Sequence, residues 1–228
     1  IAMERITLYS GPLSMFGAKA QVAALEKGLD VDLVMVPFDM QRLYEPKHPE
    51  VVRINPKRQV PVLVHGDVEV FDSTQVFEYL EDLVPEPPLW PREVAARARA
   101  RRLELESDEV YFPPVIRLMG LQATPDDPTA VAAREAAAAA AARFEQVLGA
   151  QQFLAGEFGY ADIAFWLAQL FGERMGARLG AETPRLHAWR LRVGARPSFR
   201  AVVGAMARFL VSQGRPLPAY LREAGIAD

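Results

Sequence analysis

The chain has no cysteine among its 228 residues. That absence removes disulfides, thiolate metal sites, a redox CxxC pair and a nucleophilic thiol, so any sulfur chemistry must be brought in by a ligand. It also agrees with a cytoplasmic setting. Histidine is scarce: His48, His65 and His187 have no mutual metal-ligand spacing, and no metal is expected. Neither sign of charge dominates, with 26 Lys plus Arg against 29 Asp plus Glu and a net charge of −3. This gives no electrostatic footprint for nucleic acid or an anionic membrane surface. No run approaches the roughly 18 to 20 apolar residues of a membrane span, and the first residues lack the layout of a secretory signal. Ile1 and Ala2, ahead of Met3, look like additions from recombinant expression and are set aside. GxGxxG and GxxxxGK[ST] are missing, so dinucleotide and P-loop readings fail, and without GxSxG the strongest hydrolase cue is gone as well.

What remains is the composition of a globular protein: 50% hydrophobic, 24% charged and 9% aromatic residues. The length allows one large or two modest domains. Arg5 to Tyr9 reads as a strand, Ser10 to Leu13 as a turn, and Phe16 to Lys27 as a helix stopped by Gly28. A second apolar run, Asp32 to Val36, is ended by Pro37, and Asp39 to Pro56 is a polar stretch that can hold only an irregular helix. Val62 to His65 and Val68 to Phe71 flank Gly66-Asp67 with the spacing of a two-residue hairpin, and a helix follows from Ser73 to Leu83. Four prolines between Val84 and Pro91 then forbid helix or central strand.

Beyond that linker no period-2 pattern recurs. Arg92 to Leu118, Asp126 to Leu148, Tyr160 to Met175, Pro184 to Val193 and Pro197 to Val211 all read as helices, the first bent at Pro113 and Pro114. The alanine run Ala136 to Ala142 is strongly helix-forming structural filler. The expected division is therefore 3–84 for an α/β domain, 85–92 for the linker and 93–228 for an all-α domain.

Three places could carry chemistry. Ser14 stands between the first strand and the first helix, where unpaired N–H groups and the positive helix end favour an anion; the alternative is an ordinary capping serine. Ser10 is its competitor, with a turn role before Gly11-Pro12. Val60-Pro61 opens the third strand. Generic X-Pro bonds are trans in most cases, but a cis bond there would turn Val60's backbone toward an extended peptide. Asp72-Ser73 lies where a strand passes into a helix, offering an anion seat beside a carboxylate that could pair an ammonium. Lys47 and Gln59 add a cation and an amide, either of which could equally be a solvated surface residue.

The segments LYSGPLSMFGAKAQVAALEKGL, INPKRQVPVLVHGDVEVFDSTQVFEYLED and FLAGEFGYADIAFW, in that order, resemble the cytosolic glutathione transferase superfamily over nearly the whole chain. The resemblance implies a thioredoxin-like N-terminal domain followed by an all-α C-terminal helical domain. Pro12 to Ser14 look like the serine-type theta, phi and zeta classes, so Ser14 inherits the catalytic position. Cysteine-type classes are disfavoured by the absence of Cys, and tyrosine-type classes by Tyr9 lying within the strand. By the same resemblance Val60 grips the cysteinyl part of glutathione, Pro61 is cis and Gln59 reaches the glycyl end. Asp72 and Ser73 hold the γ-glutamyl amine and carboxylate, and Lys47 contacts the glycyl carboxylate. Arg58 stands where a glycine often precedes the Gln, and Pro46 where some members carry a glycyl-binding histidine. GYADIAFW resembles the family's capping box and hydrophobic staple, with Asp162 structural, Phe158 packing toward Ile163, and Gly159 in place of the usual Ser or Thr cap.

The function this implies is a transferase whose bound glutathione, a co-substrate, attacks a hydrophobic electrophile. Position and aromaticity assign the electrophile pocket to Leu13, Phe112, Arg117, Leu118 and Trp166. A homodimer is implied, a role in detoxification follows, and a glutathione-dependent isomerase or dehalogenase differs only in the electrophile. The rival is a non-catalytic glutathione-binding or scaffold protein on the same fold.

Overall fold

A computed structural model describes residues 4–228; Ile1, Ala2 and Met3, and with them the first residue of the expected first domain, lie outside the described residues. The chain forms two compact units: one runs to Pro87 and takes in Pro197–Pro216, the other comprises Pro88–Arg196 and Leu217–Asp228.

The first unit is built on β1 (Ile6–Ser10), α1 (Met15–Glu26), β2 (Val31–Met35), α2 (Pro49–Ile54), β3 (Val62–His65), β4 (Val68–Phe71) and α3 (Ser73–Leu83). The sheet order is β2-β1-β3-β4. α1 carries the chain back along the sheet, so β1 and β2 pair in parallel. The two-residue turn at Gly66-Asp67 makes β3 and β4 antiparallel, and β3 is antiparallel to β1 as well. Ile6 and Leu8 lie on one face of β1 and are buried, as are Ala20, Val22 and Ala23 of α1 and Val76, Phe77 and Leu80 of α3, which together supply much of the core of this unit. α1 and α3 are also joined by a buried ion pair, Lys27 Nζ to Glu81 at 2.6 Å, and the same ammonium donates to the Pro87 carbonyl. The polar stretch after Pro37 condenses into one short helix, α2, where Pro49 occupies the first turn.

The helix α9 (Pro197–Ser212) packs in this first unit, an arrangement that the two-domain reading of the sequence does not include. Its Ser198 hydroxyl donates to Glu26 at 2.6 Å, and Phe209 meets Phe38 edge-on at 5.7 Å.

The second unit contains α4 (Val94–Glu106), α5 (Phe112–Leu118), α6 (Pro128–Leu148), α7 (Tyr160–Arg174), α8 (Pro184–Gly194) and the short α10 (Tyr220–Glu223). The expected long helix is interrupted ahead of its prolines, by a π-helical turn over Ser107–Tyr111 that closes with the Phe112 N–H on the Ser107 carbonyl. Pro113 and Pro114 then fall in the first turn of α5, where a helix has no use for their missing donors. In α6 the alanine run presents Ala137, Ala140 and Ala141 as a buried stripe in line with Ala133, Phe144 and Leu148. α7 is buried on every face from Tyr160 to Gly172, and Phe144 stacks on its Phe165 at 3.8 Å.

Gly159 caps α7, and only half of a capping box exists there. Asp162 Oδ2 accepts from the Gly159 N–H at 3.0 Å, while the reciprocal side-chain bond is missing because glycine has no side chain. The reason is steric: a Cβ at Gly159 would run into the Leu89 carbonyl, which itself accepts from Tyr160 N–H at 3.1 Å. Gly159→Ser, a change that improves an ordinary N-cap by a few tenths of a kcal/mol, is here expected to destabilise by about 1 to 3 kcal/mol through overpacking. Urea unfolding of the variant checks this, and an unchanged or raised midpoint would contradict it.

Candidate functional site

The strand register assembles the site. Tyr9 pairs with Val62 and Val62 with Phe71, so Ser10, Pro61 and Asp72 are the next residues at one end of the sheet. α1 begins five residues after Ser10 and α3 directly after Asp72, which puts two helix starts, each with a partial positive charge, at that end.

Ser14 is the N-cap of α1, with extended backbone and a half-buried side chain. Its Oγ accepts from the Gly17 N–H at 2.9 Å. A hydroxyl has one hydrogen to give, and this bond uses a lone pair, so the hydrogen is kept for an external acceptor. Ser10, the competitor, is fully buried at the end of β1 and accepts from the Gln21 amide at 2.8 Å. It is committed to holding α1 against the strand. Gly17 lies between the two hydroxyls, so close that a Cβ would strike the Ser10 Oγ and come within 3.1 Å of the Ser14 Oγ.

The Val60–Pro61 bond is cis, as are Glu45–Pro46 and Glu86–Pro87. Val60 is half-buried and packs on a small cluster of Val36, Val51 and Val62. Gln59 is exposed, and its carbonyl accepts from the buried Asn55 side chain at 2.7 Å. Asn55 also draws in the Lys57 N–H on its Oδ1 and the Arg58 N–H on its own carbonyl. This tight loop forces Arg58 to a φ of 57°, a left-handed conformation that glycine adopts without steric cost. Lys47 is mostly covered and stands 3.6 Å from Glu45.

Asp72 caps α3 by accepting from the Thr74 N–H at 3.0 Å, and it too has a positive φ, 76°. Ser73 opens the helix with only 3% exposure, although Asp72 beside it is exposed. A buried hydroxyl and an exposed carboxylate therefore sit side by side at a helix start, suited to a carboxylate and an ammonium on one carbon.

Sequence reasoning missed Tyr44. Its phenolic oxygen accepts from the Leu13 N–H at 3.2 Å, 31 residues away, inside the loop that leads to Ser14. No motif marks it, because it lies in the proline-flanked stretch without periodicity.

The proposed pocket residues differ in their exposure. Leu118 and Trp166 are each 1% exposed and belong to the core of the second unit, where the Trp166 indole donates to the Arg190 carbonyl at 2.8 Å and meets Tyr220 edge-on. They are corrected from pocket lining to packing. Phe112 is half-buried and contacts Phe171 at 5.5 Å, and Arg117 is exposed on α5. Leu13, half-buried, belongs to the first unit. Among the described residues no cluster of three or more His, Asp or Glu could hold a metal ion, and no helix is long and apolar enough to cross a membrane.

Comparison with known proteins gives a consistent picture. Residues 8–88 match the model of the glutathione S-transferase N-terminal domain and residues 108–197 that of the C-terminal domain. Glutathione S-transferase 3 of Zea mays is 30% identical over 225 residues, 90% of this chain and 96% of that protein. A stringent starvation protein A homolog of Coxiella burnetii is 36% identical over 109 residues, 47% of this chain, and there the match spans about half, 48%, of the relative's length. Among solved structures, a glutathione S-transferase from Rhodospirillum rubrum superposes with a TM-score of 0.79 at 26% identity, covering 96% of this chain and 99% of that one.

Proposed function

The chain belongs to the glutathione S-transferase family, and from that premise we propose that it is a glutathione transferase in which Ser14 activates the thiol of bound glutathione. The observation that carries the proposal is the placement of the Ser14 Oγ at the start of α1, where it accepts from the Gly17 N–H and can still donate its own hydrogen to a sulfur anion. The thiol loses its proton to solvent and the O–H donates to the resulting thiolate. The sulfur lone pair forms a C–S bond to a hydrophobic electrophile as a bond of the electrophile breaks, its electron pair leaving with a halide or with an epoxide oxygen that then takes a proton from solvent. Val60 pairs with the cysteinyl backbone next to cis Pro61, and Asp72 and Ser73 hold the γ-glutamyl amine and carboxylate. Gln59 and Lys47 face the glycyl end, Lys47 on condition that it turns from Glu45. Glutathione is the co-substrate, and the setting proposed is the cytoplasm.

Two experiments test this. Calorimetry on Ser73→Ala is expected to show glutathione binding weakened about tenfold, the consequence of losing roughly 1.5 kcal/mol from a hydrogen bond to a charged group. Unchanged affinity would remove Ser73 from the site. Steady-state rates with glutathione and halo-aromatic, epoxide, hydroperoxide and maleyl substrates then identify the electrophile class, isomerase and dehalogenase reactions included.

A second reading rests on the relative named for a starvation response and not for a transferase activity. It is a glutathione-binding or scaffold protein without turnover, and it predicts binding in the calorimeter with no rate on any member of the panel. Under either reading we propose a homodimer, with the exposed Val94 and Leu105 of α4 as part of a self-complementary surface, since Val76, Phe77 and Leu80 of α3 are taken up in the core. Light scattering at twice the monomer mass supports it, and a monomer throughout the micromolar range would overturn it.

A further inference from the structure

We infer that Tyr44 is a positioning residue for the Ser14 loop, pinning the turn that aims the Ser14 hydroxyl. This inference rests on the reading of Ser14 as the group that activates a thiol. The turn runs from Gly11 to Ser14 and is closed by the Ser14 N–H on the Gly11 carbonyl at 3.2 Å. That bond leaves the inner Leu13 N–H without a partner in the turn itself, and Tyr44 supplies one through its phenolic oxygen at 3.2 Å. The ring lies directly over the turn, since a Cβ at Gly11 would overlap its Cε1, Cζ and hydroxyl atoms. One side chain therefore both covers the loop and takes its inward-facing donor.

Tyr44 is itself held from two sides. Phe38 packs on it at 4.7 Å between ring centres, and Phe38 is in turn braced by Phe209 of α9. On the chain side, Leu43 adopts a φ of 55°, secured by Asp39, whose backbone pairs with Leu43 and whose carboxylate accepts from the Gln41 and Arg42 N–H groups and from the Arg42 guanidinium. A left-handed leucine is sterically costly, and here the surrounding hydrogen bonds over-determine it. The result is a tyrosine with little freedom, presented to the loop that needs a fixed acceptor.

The role is one of alignment. A hydroxyl that must meet a sulfur at hydrogen-bond distance loses effect when its loop samples other positions, because the stabilisation depends on the geometry being in place before the anion forms. Removing a neutral hydrogen bond from the loop is therefore expected to act on the thiolate, not on the affinity for the rest of glutathione.

The test is Tyr44→Phe, which deletes the acceptor and keeps the ring on Phe38 and Gly11. Three quantities are measured: amide hydrogen exchange at Leu13, the pH titration of the bound glutathione thiol by thiolate absorbance, and kcat against KM for glutathione. The expected result is faster exchange at Leu13, a bound-thiol titration moved upward by about half to one pH unit and a kcat lower by about three- to tenfold with KM for glutathione unchanged. Ser14→Ala, run alongside, separates the two readings. If Ser14→Ala moves the thiol titration and Tyr44→Phe does not, the positioning role of Tyr44 is overturned and the function of Ser14 stands. If neither variant moves it, the reading of Ser14 fails and the inference with it. Unaltered exchange at Leu13 in Tyr44→Phe overturns the inference whatever the activity.

Discussion

Ser14→Ala is expected to raise the pKa of enzyme-bound glutathione thiol by about one to two units and to lower turnover at neutral pH by roughly 10- to 100-fold. The size follows from one charge-assisted hydrogen bond of about 1.5 to 3 kcal/mol, converted at about 1.4 kcal/mol per unit. When the assay pH lies below the thiol's pKa, the thiolate fraction and the rate fall by the same factor. A second loss is structural. The same hydroxyl caps α1 through the Gly17 N–H, so the variant should also lose about 1 kcal/mol of stability. The two effects are separable, because Ser14→Thr keeps a cap and a donor and should restore both, while the thiol titration reports only the donor. A variant that loses the stability but titrates like wild type would reduce Ser14 to a helix-end residue. Ser10 would then be a poor substitute, being fully buried and already engaged with Gln21, and attention would move to Tyr9 or a backbone amide.

The parts legible in the sequence are those set by local rules. Ser14 and Asp72 stand at strand-to-helix passages, and each caps its helix as a short polar side chain there should. Gly66-Asp67 between two apolar runs led to the hairpin, and the prolines after Leu83 to the break near Pro87 where the two units divide. The steric demand at position 58 is visible only in structure, as a left-handed Arg58 where a glycine would be at ease. What stayed hidden depends on distant chain segments. The amphipathic pattern of residues 197–212 marks a buried face but not its partner, which is the first unit. Trp166 and Leu118 have the aromatic and apolar character of a pocket wall, yet spacing on a helix cannot tell a wall from a core, and both are core. Tyr44 reaches Leu13 only because the chain around it is folded by Asp39 and a left-handed Leu43, neither of which announces a partner.

The largest stability effect is expected at Asp162. The carboxylate is fully buried at the third position of α7 and accepts from three donors: Leu154 N–H and the Trp189 indole on Oδ1, at 3.0 and 2.8 Å, and Gly159 N–H on Oδ2 at 3.0 Å. It therefore joins the loop before α7, the start of α7 and α8 at one point. Asp162→Ala strands all three donors away from water, each at a cost of roughly 1 to 3 kcal/mol, and the combined loss is expected near about 5 kcal/mol. Asp162→Asn keeps one oxygen for Leu154 and Trp189 but turns an amide N–H toward that of Gly159, and should cost about 2 kcal/mol. The pH dependence gives a sharper check. Burial pushes the Asp162 carboxyl up to about 6, against the pull of its three donors. In the unfolded chain it titrates near about 4, so between these values the folded state holds a proton that the unfolded state has released. This group's contribution is therefore most favourable below pH 4, declines by about 1.4 kcal/mol per unit as pH rises toward 6, and is level above. Asn has no such slope. Urea unfolding of wild type and Asp162→Asn at pH 5 and pH 7.5 should show a wider stability gap at pH 5. An equal gap at both would mean that the three donors cancel the effect of burial, and a wider gap at pH 7.5 that they exceed it.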